Sequence, residues 1–174
     1  VNNAGQYFDL PFEDMTLERF EKTQRLNSTI PYFLTQRFAG YWVECANPGR
    51  VLMIGSINGR LAEPGSTAYD ISKGAVLMLV RSLALALADN GIRINGIGPV
   101  LIRTPLHMQH VEKDPALCGL LDAQIPMGRR GEVDDVGPTV VFLASPAARY
   151  MTGQMIYVDG GLTALQAIRE VPED

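Results

Sequence analysis

The amino-acid sequence predicts an α/β protein built on a doubly wound parallel sheet, and three features carry that prediction. Short apolar runs rich in branched residues, "RVLMI" at 50–54 and "IRINGI" at 92–97, have the continuous hydrophobicity of strands buried on both faces. Longer segments with apolar residues at helical spacing separate them, and clusters of Gly, Pro and Asn mark each change of period. Strands that alternate with helices imply a parallel sheet covered on both sides.

Taken in order, "VNNAG" at 1–5 reads as the end of a buried strand running into a turn. Leu17, Phe20 and Leu26 predict a helix, with Asp14 or Thr16 available as its N-cap. Phe33, Leu34, Phe38, Tyr41 and Trp42 form a 3.6-period stripe and predict a second helix that stops at Asn47-Pro48-Gly49. After the strand at 50–54, a loop from Ser56 to Thr67 leads into a helix over about 68–88, closed by Asn90-Gly91. The strand at 92–97 gives way to a loop over 99–106. "VDDVGPTVVFLAS" at 133–145 predicts a helix with an internal Gly-Pro, and "QMIYVDGG" at 154–161 a last strand closed by a glycine pair. No internal repeat or low-complexity linker interrupts the chain, which is long enough, at 174 residues, for one domain over 1–174.

Composition narrows the partners. A net charge of -4 and a pI near 5.2, with no basic cluster interleaved with aromatics, give no nucleic-acid surface. Cys45 and Cys118 form no C-x-x-C and predict two free thiols in a reducing compartment. His107 and His110 stand at i, i+3 without the carboxylate context of a zinc helix, so no metal is expected. The longest uninterrupted apolar run, "AVLMLV" at 75–80, is too short to span a bilayer, and no signal peptide is visible, so no membrane partner and a cytoplasmic location are the expectations.

One stretch does not fit simple burial. "AYDISKGAV" at 68–76 places Tyr69 and Lys73 four apart, on one face of a helix, so their polar tips can converge. Doubly wound sheets bind ligands outside the carboxyl ends of their strands. Small or polar residues stand there: Asn3-Ala4-Gly5 after the first, Ser56 after the second, and Gly98, Pro99 and the segment to Thr104 after the third.

Six motifs in register then identify a family. "NNAG" at 2–5, Asn27 in "RLNSTIPYF", Ser56 in "MIGSING", "YDISK" at 69–73, "INGIGPVLIRTPL" at 94–106 and "FLASPAARYMTGQMIYVDGG" at 142–161 together resemble the short-chain dehydrogenase/reductase family, across nearly the whole chain. The resemblance implies a Rossmann-like fold and an oxidoreductase that moves a hydride between NAD or NADP and an alcohol or ketone, of the 3-oxoacyl-carrier-protein reductase or the sugar and polyol dehydrogenase type. It implies Tyr69 as general acid/base and Lys73 as the cation that stabilises its phenolate and binds the cofactor ribose. Ser56 would hold the substrate oxygen, and Asn27 would position a water on the proton path from Lys73. Asn3, Ala4 and Gly5 would line the adenosine side of the cofactor, with Tyr69 and Lys73 at its centre. Pro99, Ile102 and Thr104 would close over the carboxamide.

The sequence departs from the family pattern twice. Val100 follows Pro99 where the family has glycine, which leads us to expect altered closure, since valine resists positive φ. No Gly-rich pyrophosphate turn is present, so the chain reads as an N-terminally truncated Rossmann-like domain, short of roughly 80 residues at ~30 per strand-helix unit. A chain of that kind is expected to bind cofactor weakly and to aggregate through a bare strand edge. The family also implies a homotetramer for the full-length protein, built on helices such as those over 30–45 and 68–88. The alternative is a truncated, inactive paralogue that serves as an oligomerisation partner, and retention of Ser56, Tyr69 and Lys73 together favours the enzyme. The segment from Leu106 to Met127, with Met108, Leu117, Leu120 and Leu121, fits a lid over either an apolar or a modestly polar alcohol.

Overall fold

The computed structural model describes residues 1–105 and 115–165, with side chains in the second block from Cys118 onward. Its sheet has three parallel strands in the order β1 (Arg50–Ile54), β2 (Arg93–Pro99) and β3 (Met155–Val158). Asn2 adds an isolated parallel bridge to Met53, closed by Asn2 N–H to Leu52 O at 2.8 Å and Ile54 N–H to Asn2 O at 2.9 Å. The opening segment therefore lies where the sequence places a strand end, beside β1.

Helices cover both faces of the sheet, as a doubly wound fold requires. Alternation along β1 sends Val51 and Met53 to one side and Leu52 to the other. On the first side they meet Val76, Val80 and Ala84 of α3 (Thr67–Leu87), with Ile92, Ile94 and Ala39. On the second, Leu52 and Ile97 meet Leu143 of α5 (Val133–Ala144) and Ala148. Ile94 is wholly enclosed, so Ile94→Ala is expected to cost about 2–5 kcal/mol in urea unfolding; a loss under about 1 kcal/mol would mean that this layer collapses around the cavity.

The remaining helices are α1 (Leu17–Gln24), α2 (Ile30–Glu44) and α4 (Pro115–Gln124). Thr16 caps α1, its hydroxyl accepting Arg19 N–H. Between α1 and α2 the chain makes one π-helical turn over Arg25–Thr29, with Asn27 buried inside it. α3 ends as expected, at a left-handed Gly91 with φ 69°. Thr67–Asn90 is also long and apolar enough to cross a membrane by length and composition, a pattern that core helices share, and its inner face packs on the sheet.

The aromatic stripe of α2 is not core: Phe33 is 58% and Tyr41 58% exposed, while Pro31, Thr35 and Ala39 are the buried positions. Small residues let this helix approach its neighbours closely, which leaves the bulky ones outside; Trp42 alone of the stripe packs against the core. α4 lies within the 106–127 segment that the resemblance reads as a lid, with Leu120 exposed. His107, Met108 and His110 lie outside the described residues, as does the Leu117 side chain. Cys45 and Cys118 are not joined in a disulfide.

Candidate active site

A cleft of about 600 Å³ opens at the carboxyl ends of the strands, between the N-terminal segment, α3 and α5. Its walls include Asn3, Gly5, Ser56, Tyr69, Lys73 and Pro99, together with Ile102 and Thr104. Each arrives from a different element, and the doubly wound topology brings them to one place. Ala4, by contrast, is exposed and outside the lining.

Tyr69 and Lys73 sit one turn apart on α3, and the Lys73 ammonium lies 5.4 Å from the centre of the Tyr69 ring. Lys73 is 7% exposed. Its Nζ donates to Ile54 O at 2.9 Å, and among the described residues no carboxylate stands within ion-pair distance of it. Burial without a counter-charge lowers its pKa from 10.5 to about 8. Backbone geometry fixes its place: the 56–60 turn lies so close to α3 that a Cβ on Gly59 would come within 2.7 Å of Lys73 O.

Tyr69 is surrounded by groups that act on its phenol. Its pKa lies above the ordinary tyrosine value: burial is the largest cause, and the carboxylates of Glu63 and Asp70 and the Tyr7 phenol act in the same direction. Only the hydrogen bond with Ser56 opposes them. The Lys73 ammonium donates to Ile54 O, and with its pKa raised Tyr69 is a phenol at neutral pH.

Asn27 is 3% exposed and its amide is nearly saturated. Oδ1 accepts Gln6 N–H at 2.9 Å, and Nδ2 donates to Gln6 O at 2.8 Å and Ser72 Oγ at 2.9 Å. Ser72 Oγ in turn donates to Tyr69 O at 2.7 Å. The amide thus ties the N-terminal segment to α3, and only one Oδ1 lone pair is left for a water. Val100 needs no glycine conformation, since Ala46 is the one positive-φ residue other than glycine among those described. Val100 is buried, and its N–H donates to Val158 O at 3.2 Å.

Sequence reasoning missed Tyr7, whose ring meets Tyr69 edge-on at 5.9 Å, and Asn58, which hydrogen-bonds Ser56. Tyr7 stands in no motif, whereas Asn58 lies within "MIGSING", where only Ser56 was singled out. The apolar wall from α5, Val133, Val136 and Val140, is likewise visible only in three dimensions.

The family model described as enoyl-(acyl carrier protein) reductase matches residues 1–163. The chain belongs to the short-chain dehydrogenase/reductase family. It is similar to glucose 1-dehydrogenase of Gluconobacter oxydans (strain 621H), 38% identical over 163 residues, 94% of this chain and 61% of that protein. Carbonyl reductase [NADPH] 2 of Sus scrofa is 33% identical, over 94% of this chain and 67% of its own length. Among solved members of the short-chain dehydrogenase/reductase family, a 4-hydroxyisoleucine dehydrogenase mutant complexed with NADH and succinate superposes with a TM-score of 0.92 at 29% identity, covering 95% of this chain and 68% of that one. A gluconate 5-dehydrogenase from Burkholderia cenocepacia J2315, in complex with NADP and tartrate, gives 0.89 at 31% identity, over 94% and 64%. The chain thus spans about three fifths of the length of the first curated relative.

Proposed function

We propose that the protein carrying this chain is an NAD- or NADP-dependent oxidoreductase that interconverts a small alcohol and its ketone, with Tyr69 as general acid/base. One observation carries the reading: a buried lysine without a carboxylate partner among the described residues stands beside a partly buried tyrosine at the mouth of a strand-end cleft. Burying such a cation is costly, and packing alone gives no reason to retain it.

The residues present fit the nicotinamide-ribose half of the cofactor. Lys73 offers donors to ribose hydroxyls, Gly5 leaves the approach to it open, and Asn3, Pro99, Ile102 and Thr104 supply the walls. When bound, the nicotinamide supplies or accepts the hydride. In reduction, Tyr69 gives its phenolic proton to the carbonyl oxygen as that oxygen gains charge, and Ser56 hydrogen-bonds the same oxygen. In oxidation the phenolate takes that proton. A water on the free Oδ1 lone pair of Asn27 would then extend the path from Lys73. Because Tyr69 titrates high, alcohol oxidation should accelerate as pH rises through the alkaline range and carbonyl reduction should be greatest at neutral pH and below. An oxidation rate that stays flat or falls between about pH 7 and 10 would contradict this assignment.

Sugars and polyols are the substrate class we put first, since similar proteins bear the names glucose 1-dehydrogenase and gluconate 5-dehydrogenase. The deciding experiment is a panel of polyols, sugar acids and 3-hydroxyacyl thioesters with NAD and NADP, following nicotinamide absorbance. Turnover with a polyol supports the reading, turnover with the thioesters alone moves the class, and none with either cofactor overturns it. The uncovered stripe of Phe33, Phe38 and Tyr41 on α2 supports assembly of the full-length protein as a homotetramer.

A further inference from the structure

Four ion pairs form among the described residues, and all four stand together. They join Arg103, Arg129 and Arg130 to Asp122, Glu132 and Asp135, where the loop after β2, α4 and the start of α5 meet. Three of them use the exposed arginines Arg103 and Arg129, and pairs of that kind contribute little. The fourth is different. Arg130 is 3% exposed; its backbone N–H and its Nε both donate to Asp122 Oδ1, at 2.7 and 2.9 Å, and Nη2 reaches Oδ2 at 3.5 Å. Backbone and side chain of one residue thus grip one carboxylate of α4, in a fixed geometry that an apolar contact does not impose.

Arg130 is joined to the cleft as well. Its neighbour Gly131 pairs with Ile102: Arg103 N–H donates to Gly131 O at 2.8 Å, and Gly131 N–H donates to Leu101 O at 3.0 Å. The two segments run so close that a Cβ on Gly131 would come within 2.5 Å of Ile102 Cδ1. Ile102 and Thr104, on either side of Arg103, are walls of the cleft. A displacement of α4 is therefore passed through Arg130 and Gly131 to that wall. Stability alone does not account for the pair, since burying two charges costs about what their attraction returns, and apolar residues of similar size commonly serve as well.

We propose that Arg130 is a positioning residue: by gripping Asp122 it sets α4 against the pairing of Ile102 with Gly131, and so fixes the cleft wall on which tight cofactor binding depends. The consequence for the cofactor rests on the reading of the protein as a dehydrogenase; the placement of the wall does not.

Arg130→Met combined with Asp122→Leu removes both charges and keeps the volume, so the double variant is expected to fold. Amide hydrogen exchange, followed by NMR on the protein that carries this chain, should then quicken at least about tenfold at Arg103 and Gly131, whose N–H groups make the pairing. Gly96 in β2, whose N–H donates to Gln154 O at 2.8 Å, should stay within about twofold. The Kd for the reduced cofactor, by nicotinamide fluorescence, should rise at least about fivefold with kcat at saturation within about threefold, the split expected of a wall and not of an acid. Because one pair carries the effect, the rise in the double variant should not exceed the larger of the two single rises. Should the double variant fail to fold, Arg130→Lys keeps the charge and the backbone bond, gives up only the Nε bond, and should quicken the same two amides at least about threefold. Exchange at Arg103 and Gly131 that is unmoved, or that quickens no more than at Gly96, overturns the assignment, as does an unmoved Kd. The exchange measurement needs neither cofactor nor turnover, so a protein that binds no nicotinamide nucleotide would defeat the dehydrogenase reading while the two amides still judge the placement of the wall.

Discussion

Tyr69→Phe is expected to lower kcat by about 10²- to 10⁴-fold while cofactor affinity stays within about twofold, measured by steady-state kinetics and by nicotinamide fluorescence on the protein that carries this chain. The substitution removes one oxygen and leaves the rest of the site standing. The ring keeps its edge-on contact with Tyr7 at 5.9 Å and its place beside Lys73, whose ammonium bonds Ile54 O and not the phenol. Nothing that shapes the cleft depends on the hydroxyl except its bond with Ser56, which Asn58 holds independently. A variant that keeps more than about a hundredth of the wild-type rate would remove Tyr69 from its assigned role.

Lys73→Met should have the opposite signature in stability and a similar one in activity. The Lys73 pKa falls from 10.5 to about 8 on folding, and at about 1.4 kcal/mol per pH unit the folded state bears a cost of roughly 3 kcal/mol when the group is charged in both states. Losing the hydrogen bond to Ile54 O offsets about 1 kcal/mol of that. Methionine fills a similar volume, so at pH 7 the variant should be more stable by about 2 kcal/mol in urea unfolding. The sign follows from linkage. Below about pH 8 the proton is bound in both states and the cost is complete. Between about 8 and 10.5 the unfolded chain keeps a proton that the folded one has lost, so the wild type gains on the variant as pH rises. Turnover and cofactor binding should both fall. A variant less stable at pH 7, or an advantage unchanged at high pH, would show that Lys73 is not a cation strained by burial.

The sheet was legible because its strands are unbroken apolar runs between strong turn residues, and β1, β2 and β3 lie where those runs lie. α3 was legible from its length and from Asn90-Gly91. The stripe gave α2 but not its inner face, since periodicity reports which residues share a face and not whether this chain covers that face; the small residues at 31, 35 and 39 hold the inner side. The cleft was readable where a residue type is chemically odd for its setting, as with a lysine in an apolar helix, and where small or polar residues follow a strand, as with Gly5, Ser56 and Pro99. Tyr69 could be placed from sequence, but the direction of its titration could not. That direction depends first on burial of the phenol and then on Glu63 and Asp70 gathering near it, and both are facts of packing.

The π-helical turn at Arg25–Thr29 sets the angular phase of everything that follows it. Each residue of an α-helix advances the chain by about 100°, so positions four apart drift by about 40° per step. Thr23, Asn27, Pro31, Thr35 and Ala39 are nonetheless all buried, four steps that in an unbroken helix would accumulate about 160° and carry the last of them around to solvent. The wider turn takes up one residue and cancels about 100° of that rotation. Removing a single residue from 25–29 would therefore do more than shorten a connection. It would rotate α2 about its own axis, lift Thr35 and Ala39 away from the core, and turn the aromatic stripe through the same angle.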